Sequence, residues 1–221
     1  RSLMEEQKND YEYFCYLEHD IKFSEDNLQY WLKYQDQLDK KNYHLGFLIY
    51  EKNNSDNKNY SIHIVRKLNK YLNIEGKKFV INDLENYCCF WIYNKHQFHK
   101  FLRSKWWSFK KRAHNFRHNY GITERSSIVF HSFNMNYFKA TLLPEIDNQP
   151  DPNCFIEHMT NNYYDKFSEF KNQNYMDIRG VCTLKIDEIF EDLKEVKDNF
   201  FLIKLFKLLK WNFRFIFRKF N

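Results

Sequence analysis

Glycine and proline are scarce in this 221-residue chain, at four and three residues. That scarcity excludes collagen-like repeats and the low-complexity compositions that stay disordered. The five cysteines, Cys15, Cys88, Cys89, Cys154 and Cys182, are odd in number and contain no Cys-x-x-Cys pair. They spell out neither a zinc site nor a disulfide framework. Most sit in apolar or aromatic stretches, where a free thiol behaves as a small buried hydrophobe, the usage of a reducing compartment. Arg1 to Asp10 are polar and charged and lack the apolar stretch of a secretory leader. The first residue is Arg rather than Met, the start expected of a fragment or a processed product.

What the chain has instead is apolar and aromatic mass, 43% and 20% of its residues. At this length that supplies a sizeable core without disulfide staples. Lys, Asn, Tyr and Phe stand where Ala, Gly and Arg are usual, a bias of composition rather than of function. The net charge of +6 permits an anionic partner but selects none. Its distribution says more, because basic residues gather at Lys100 to Arg117 and again at Lys204 to Lys219.

The patterning predicts alternating strands and helices. Residues 11–18 read as a buried strand, and Ser24-Glu25-Asp26-Asn27 caps a helix to about Leu38, with Leu28, Trp31, Leu32 and Leu38 at helical spacing. A strand over His44–Tyr50 precedes a polar, Asn-rich hairpin loop over Glu51–Asn59; further strands fall at 61–65 and 78–81. Tyr87–Tyr93 is the most continuous apolar run of the body and reads as a central strand. Asn94-Lys95-His96-Gln97 opens a helix carrying Phe98, Phe101 and Leu102; helix is expected again over 112–120 and a strand over 127–131. The prolines at 144, 150 and 152 mark an irregular crossing before Cys154–Tyr164, an apolar stub running into a His-containing turn.

From Phe200 to Phe220 the pattern changes. Lys204, Lys207, Lys210, Arg214 and Arg218 recur every three or four residues, with Phe, Leu, Ile and Trp covering the rest. This predicts a basic amphipathic helix lying in a membrane surface. Its charges interrupt it too often for a membrane span.

The candidate chemistry begins at Glu18-His19-Asp20, where an apolar run stops at an acidic turn. A strand ending in carboxylates delivers them to the edge where open α/β sheets bind ligands, and carboxylate oxygens are what hard cations take. A divalent ion held by Asp20 would neutralise the phosphates of a nucleotide. Glu18, two residues earlier on the same side, reaches a sugar hydroxyl or the ion through water, while His19 faces away.

Tyr16-Leu17-Glu18-His19-Asp20-Ile21, followed by Phe23, Asn27, Trp31-Leu32 and Gly46-Phe47-Leu48, resembles the surroundings of the DxD-type motif of GT-A glycosyltransferases. The likeness is to bacterial-type, family-2-like enzymes in which Glu-Asp-Asp-Ile is usual. Phe90-Trp91-Ile92 is similar to a Met-Trp-Ile segment of such proteins, and His158-Met159-Thr160-Asn161-Asn162-Tyr163 to a late His-Leu-x-Asn-x-Tyr segment. Together these pieces span residues 11–165.

The resemblance implies an α/β fold over residues 1–195, a partial GT-A (Rossmann-like) mixed sheet with flanking helices, followed by the amphipathic membrane-docking helix over 196–221. It implies that Asp20 coordinates Mn²⁺ or Mg²⁺ on a nucleotide-sugar donor, that Glu18 sits beside the donor sugar or ribose, and that His158 completes the metal shell. His19 departs from the pattern where a second Asp is expected. A GT-A domain normally opens with a βαβ unit that grips the nucleotide base. Here only ten residues precede the first strand segment, as expected of the carboxyl-terminal part of a longer transferase or a truncated reading frame.

A transfer with inversion also needs a carboxylate to take the acceptor's proton. Asp83 and Glu85, just before the central apolar run, are the candidate catalytic bases, with Glu124 and Glu157 as alternatives on position. Lys105 to Arg117, interleaved with Trp106, Trp107 and Phe109, would steer and stack a nucleotide or glycan. The expected function is metal-dependent sugar transfer to a polysaccharide or lipid-linked acceptor, at the cytoplasmic face of a membrane and without a nucleic-acid partner. The competing expectations are a catalytically inactive α/β domain kept for assembly and a basic module that binds membranes or nucleic acid.

Overall fold

The computed structural model describes residues 2–54, 56–62, 64, 66–84, 90–104, 107–108, 138–160 and 182–197. The expected tail helix at 200–220, Glu85, Glu124, the first half of the 87–93 run, most of the 105–117 basic run, the elements expected at 112–120 and 127–131, and Asn161 to Tyr164 lie outside them.

A short helix α1 (Ser2–Glu6) leads into β1 (Tyr13–Leu17) and β2 (Ile21–Lys22), then the long helix α2 (Glu25–Lys40). Next come β3 (His44–Leu45), β4 (Leu48–Asn53), β5 (Lys58–Ile62), β6 (Leu68–Ile74), β7 (Lys77–Asn82), β8 (Phe90–Asn94) and helix α3 (Lys95–Arg103). The remaining strands are β9 (Thr141–Ile146), β10 (Gln149–Pro150), β11 (Phe155–His158), β12 (Cys182–Lys185) and β13 (Phe190–Glu195). The protein is therefore mixed α/β, with two multi-stranded mixed sheets and few helices among the described residues. One sheet runs β12-β5-β4-β11-β2; another runs β10-β9-β7-β6-β13, with β3 added on β9; β1 and β8 form a separate antiparallel pair. The ladders β3–β9, β4–β11 and β6–β13 are parallel.

Both main helices begin where the sequence says they should. Ser24 and Asn27 form a reciprocal capping box on α2, as Asn94 and Gln97 do on α3, each satisfying amides that a helix start leaves unpaired. The buried face of α2 is Tyr30, Trp31, Tyr34 and Leu38, while Leu32 is exposed, so aromatic rather than leucine spacing sets its orientation.

Three expectations change. The strand at residues 11–18 is β1, but Tyr13, Cys15 and Leu17 are exposed and Phe14 is its one fully buried residue, because β1 is a marginal strand laddered to β8. The 87–93 run is represented by β8, buried on both faces as expected, yet its described ladder partner is β1 and not a wide central sheet. The strand over 44–50 is two strands in different sheets. Gly46 lies between them, pressed so close to β9 that a Cβ on it would meet Thr141 Cγ2 at 2.7 Å.

The main core lies between α2 and the two large sheets, with Tyr30, Tyr34, Phe47, Phe79 and Phe90 in edge or tilted ring contacts. A second core of Phe14, Trp91, Tyr93, Phe98 and Phe101 seats α3 on the β1–β8 pair. Alternate residues of β8 serve the two cores: Phe90 and Ile92 the first, Trp91 and Tyr93 the second. No helix among the described residues is long and apolar enough to cross a membrane.

Candidate functional site

The acidic turn is held by main-chain bonds before any side chain contributes. The Ile21 amide donates to the Glu18 carbonyl at 3.2 Å, closing the turn that carries His19 and Asp20. Beyond it β2 pairs antiparallel with β11, setting His158 opposite Ile21, and the Met159 amide donates to the Asp20 carbonyl at 2.8 Å. On the other side of β11, β4 runs parallel with Tyr50 opposite Glu157. One step further along that ladder Glu51 comes beside His158. Three strands thus bring together Asp20, His158 and Glu51, which are distant in the sequence.

The side chains meet accordingly. His158 Nε2 stands 3.3 Å from Asp20 Oδ2, and His158 Nδ1 stands 2.6 Å from Glu51 Oε1. Glu51 is fully buried and the His158 side chain almost so, while Asp20 reaches solvent with 19% of its side chain. Thr160 Oγ1 lies 3.2 Å from His158 Nε2 and 3.3 Å from Nδ1. Burial alone would push the imidazole toward its neutral form; the hydrogen bond and charge of Glu51, with the charge of Asp20, outweigh it and raise the pKa. Asp20 Oδ1 is buried and has no hydrogen-bond partner. A buried carboxylate oxygen without a donor is costly and is the atom that most needs explaining here.

The donor set fits a divalent ion. Two ligands each about 2.1 Å from one ion stand roughly 3 Å apart, close to the 3.3 Å between Asp20 Oδ2 and His158 Nε2. Carboxylate oxygen with imidazole nitrogen is a set that Mn²⁺ accepts. Among the described residues no group of three or more His, Cys, Asp or Glu side chains is arranged to hold a metal.

The remaining expected site residues are placed as follows. Glu18 is half-buried just after β1, and His19, in the turn that follows, is exposed. Asp83 follows β7 in the other large sheet, and its carboxylate accepts from Arg66 at 2.6 Å, an ion pair that includes neither Asp20 nor His158. Glu157 alternates with His158 on β11. Burial raises its pKa, but Lys52 at 2.9 Å and Lys22 at 3.5 Å hold it below the usual carboxylate range.

Glu51 is the residue that sequence reasoning missed. It heads the polar run Glu51-Lys52-Asn53-Asn54, expected to be an exposed loop, and is instead an inward residue of β4. The one available signal was the period-2 alternation of Ile49, Glu51 and Asn53 on one side of a strand. A polar cleft of about 550 Å³ lies elsewhere, between α2 and α3, with Lys95, His96, His99 and Arg103 along one wall. Asp20, Glu51 and His158 do not line it.

Comparison of the chain with protein-family models, curated proteins and solved structures returned no match.

Proposed function

We propose that the chain is the catalytic part of a metal-dependent glycosyltransferase, moving a sugar from a nucleotide-sugar donor to a polysaccharide or lipid-linked acceptor. Its mixed sheets are read as the portion of a GT-A (Rossmann-like) fold that follows the nucleotide-binding unit, with residues 196–221 docking on the inner face of a membrane. The observation that carries the reading is the meeting of Asp20 with His158 around a buried, unpartnered carboxylate oxygen. These are the two residues that the family resemblance named as Mn²⁺ or Mg²⁺ ligands.

In this reading Asp20 and His158 would hold the ion against the donor's diphosphate. A bound divalent ion would supply neutralisation of the charge that grows on the leaving diphosphate. Glu18 hydrogen-bonds a hydroxyl of the donor. Asp83, whose carboxylate accepts from Arg66 at 2.6 Å, and Glu85, outside the described residues, stay the candidate bases.

The test is turnover of nucleotide sugars, as transfer or slow hydrolysis, by the chain with Mn²⁺ titrated. Turnover that requires Mn²⁺ and is lost in Asp20→Ala supports the proposal; absence of turnover from a correctly folded protein over a panel of common nucleotide sugars overturns it.

A further inference from the structure

We propose that Glu51 is a positioning residue: it accepts the Nδ1 proton of His158 and so leaves the Nε2 lone pair facing Asp20, ready for a divalent ion. The inference rests on the metal-dependent reading above and adds to it the residue that makes His158 a ligand.

A neutral imidazole has one N–H and one lone pair, and its neighbours decide which nitrogen carries which. Here two carboxylates compete for the single proton, Glu51 at 2.6 Å from Nδ1 and Asp20 at 3.3 Å from Nε2. Glu51 has the shorter contact. Its side chain is wholly buried, and a buried charge persists where donors face it, whereas Asp20 still reaches water. The proton therefore belongs on Nδ1.

The consequence falls on the other nitrogen. With Nδ1–H committed to Glu51, Nε2 and Asp20 Oδ2 are two acceptors facing each other, and Asp20 Oδ1 beside them is buried without a donor. Two lone pairs at that separation repel unless a second proton, which these carboxylates favour, or at alkaline pH a metal cation lies between them. The Thr160 hydroxyl, 3.2 Å from Nε2, has one proton to give and leaves Asp20 Oδ1 as it was. Were the proton on Nε2 instead, it would occupy the space of the ion. A carboxylate holding the far nitrogen of a ligating imidazole is the general arrangement by which proteins fix a metal-binding tautomer.

The backbone makes the arrangement durable. Glu51 is set by the parallel β4–β11 ladder, while Asp20 is set by the β2–β11 register on the opposite side of the same strand. His158 is thereby oriented from the β4 side whatever the acidic turn does.

The experiment uses the full chain and Mn²⁺ alone, with affinity read from the electron paramagnetic resonance of the free ion. Glu51→Gln, which keeps the side-chain shape, should bind Mn²⁺ about 10- to 100-fold more weakly than wild type, the usual loss for an outer partner of a metal ligand. Ring ¹⁵N shifts of His158 in the metal-free protein at alkaline pH should report Nδ1–H in wild type and a move toward Nε2–H in Glu51→Gln. A purely structural role for Glu51 would leave the tautomer unmoved. An Nε2–H tautomer in wild type overturns the assignment without recourse to any variant, and so does wild-type Mn²⁺ affinity in Glu51→Gln. If instead wild type binds Mn²⁺ no better than Asp20→Asn does, the metal-dependent reading itself fails; an Nδ1–H tautomer beside that result would mark the fault as lying there.

Discussion

The side-chain amide of Asn27 donates to the main-chain carbonyl of Phe155 at 3.0 Å, and its second hydrogen goes to the Asn153 carbonyl at 2.7 Å. The same residue closes the capping box of α2, its Oδ1 accepting from the Ser24 amide at 2.8 Å. One buried side chain thus ties the start of α2 to the start of β11, the strand that carries His158. Asn27→Asp keeps the capping oxygen but replaces two donated hydrogen bonds by a carboxylate oxygen facing two carbonyls. The expected loss is about 2–4 kcal/mol, since unsatisfied buried acceptors cost roughly 1–3 kcal/mol each. Urea denaturation measures it, and a change below about 1 kcal/mol would show that this tie is not needed.

Gly46 is required by space. A Cβ there would stand 2.7 Å from Thr141 Cγ2 and 3.0 Å from Leu143 Cδ2, while the Gly46 carbonyl accepts from the Tyr30 hydroxyl at 2.7 Å. Thr141 is a β-branched strand residue with little freedom to turn away. Gly46→Ala should cost about 1–3 kcal/mol, the usual range for forcing a methyl into a packed interior. Thr141→Ser in the same chain removes the clashing methyl and should recover a large part of the loss; a double mutant no more stable than Gly46→Ala alone would refute the steric account.

What could be read from the sequence was local. The capping boxes at Ser24/Asn27 and Asn94/Gln97 announced both helix starts because their chemistry lies within four residues. The strand β6 (Leu68–Ile74) was not anticipated, although Glu75 and Gly76, both at positive φ, form the two-residue turn that joins it to β7. Pro144, expected in an irregular crossing, lies in β9 opposite Phe79, and Asp147 and Asn148 at positive φ turn that strand back into β10. Asp20 and His158 were both candidates, but their contact depends on the register of β2, a two-residue strand too short to have a pattern. Glu51 was hidden for the same reason: its burial is a tertiary fact, created by the strands on either side of β4.

His44 makes the fold sensitive to acid. Its ring packs 5.2 Å from Phe138, its Nδ1 is buried, and burial lowers the pKa from 6.5 to about 3. A folded-state value below the unfolded one means that the native state binds fewer protons, so the contribution to stability is whole above pH 6.5 and falls as pH drops toward 3. The loss is up to about 1.4 kcal/mol for each pH unit in that window. His44→Gln removes the titration, so its urea stability should fall less steeply than that of wild type between pH 6.5 and 4. Equal slopes would mean that the ring is protonated in the folded protein.

The second core controls how firmly the acidic turn is held. Phe98 is fully buried, stacks on Phe14 of β1 at 3.9 Å, and meets Trp91 of β8 and Trp107 at 5.9 and 5.6 Å. Removing that ring leaves a cavity between α3 and the β1–β8 pair, at a cost of about 3–5 kcal/mol. The large sheets have their own core, which Phe98 does not enter. Phe98→Ala should therefore accelerate amide hydrogen exchange first in Tyr13–Leu17 and Phe90–Asn94, while β7 and β9 stay protected. If Asp20 holds a divalent ion as proposed, Mn²⁺ affinity should weaken in the same variant, because Asp20 follows β1 by one tight turn. Uniform loss of protection across all strands would instead mean that the two cores fold as one cooperative unit.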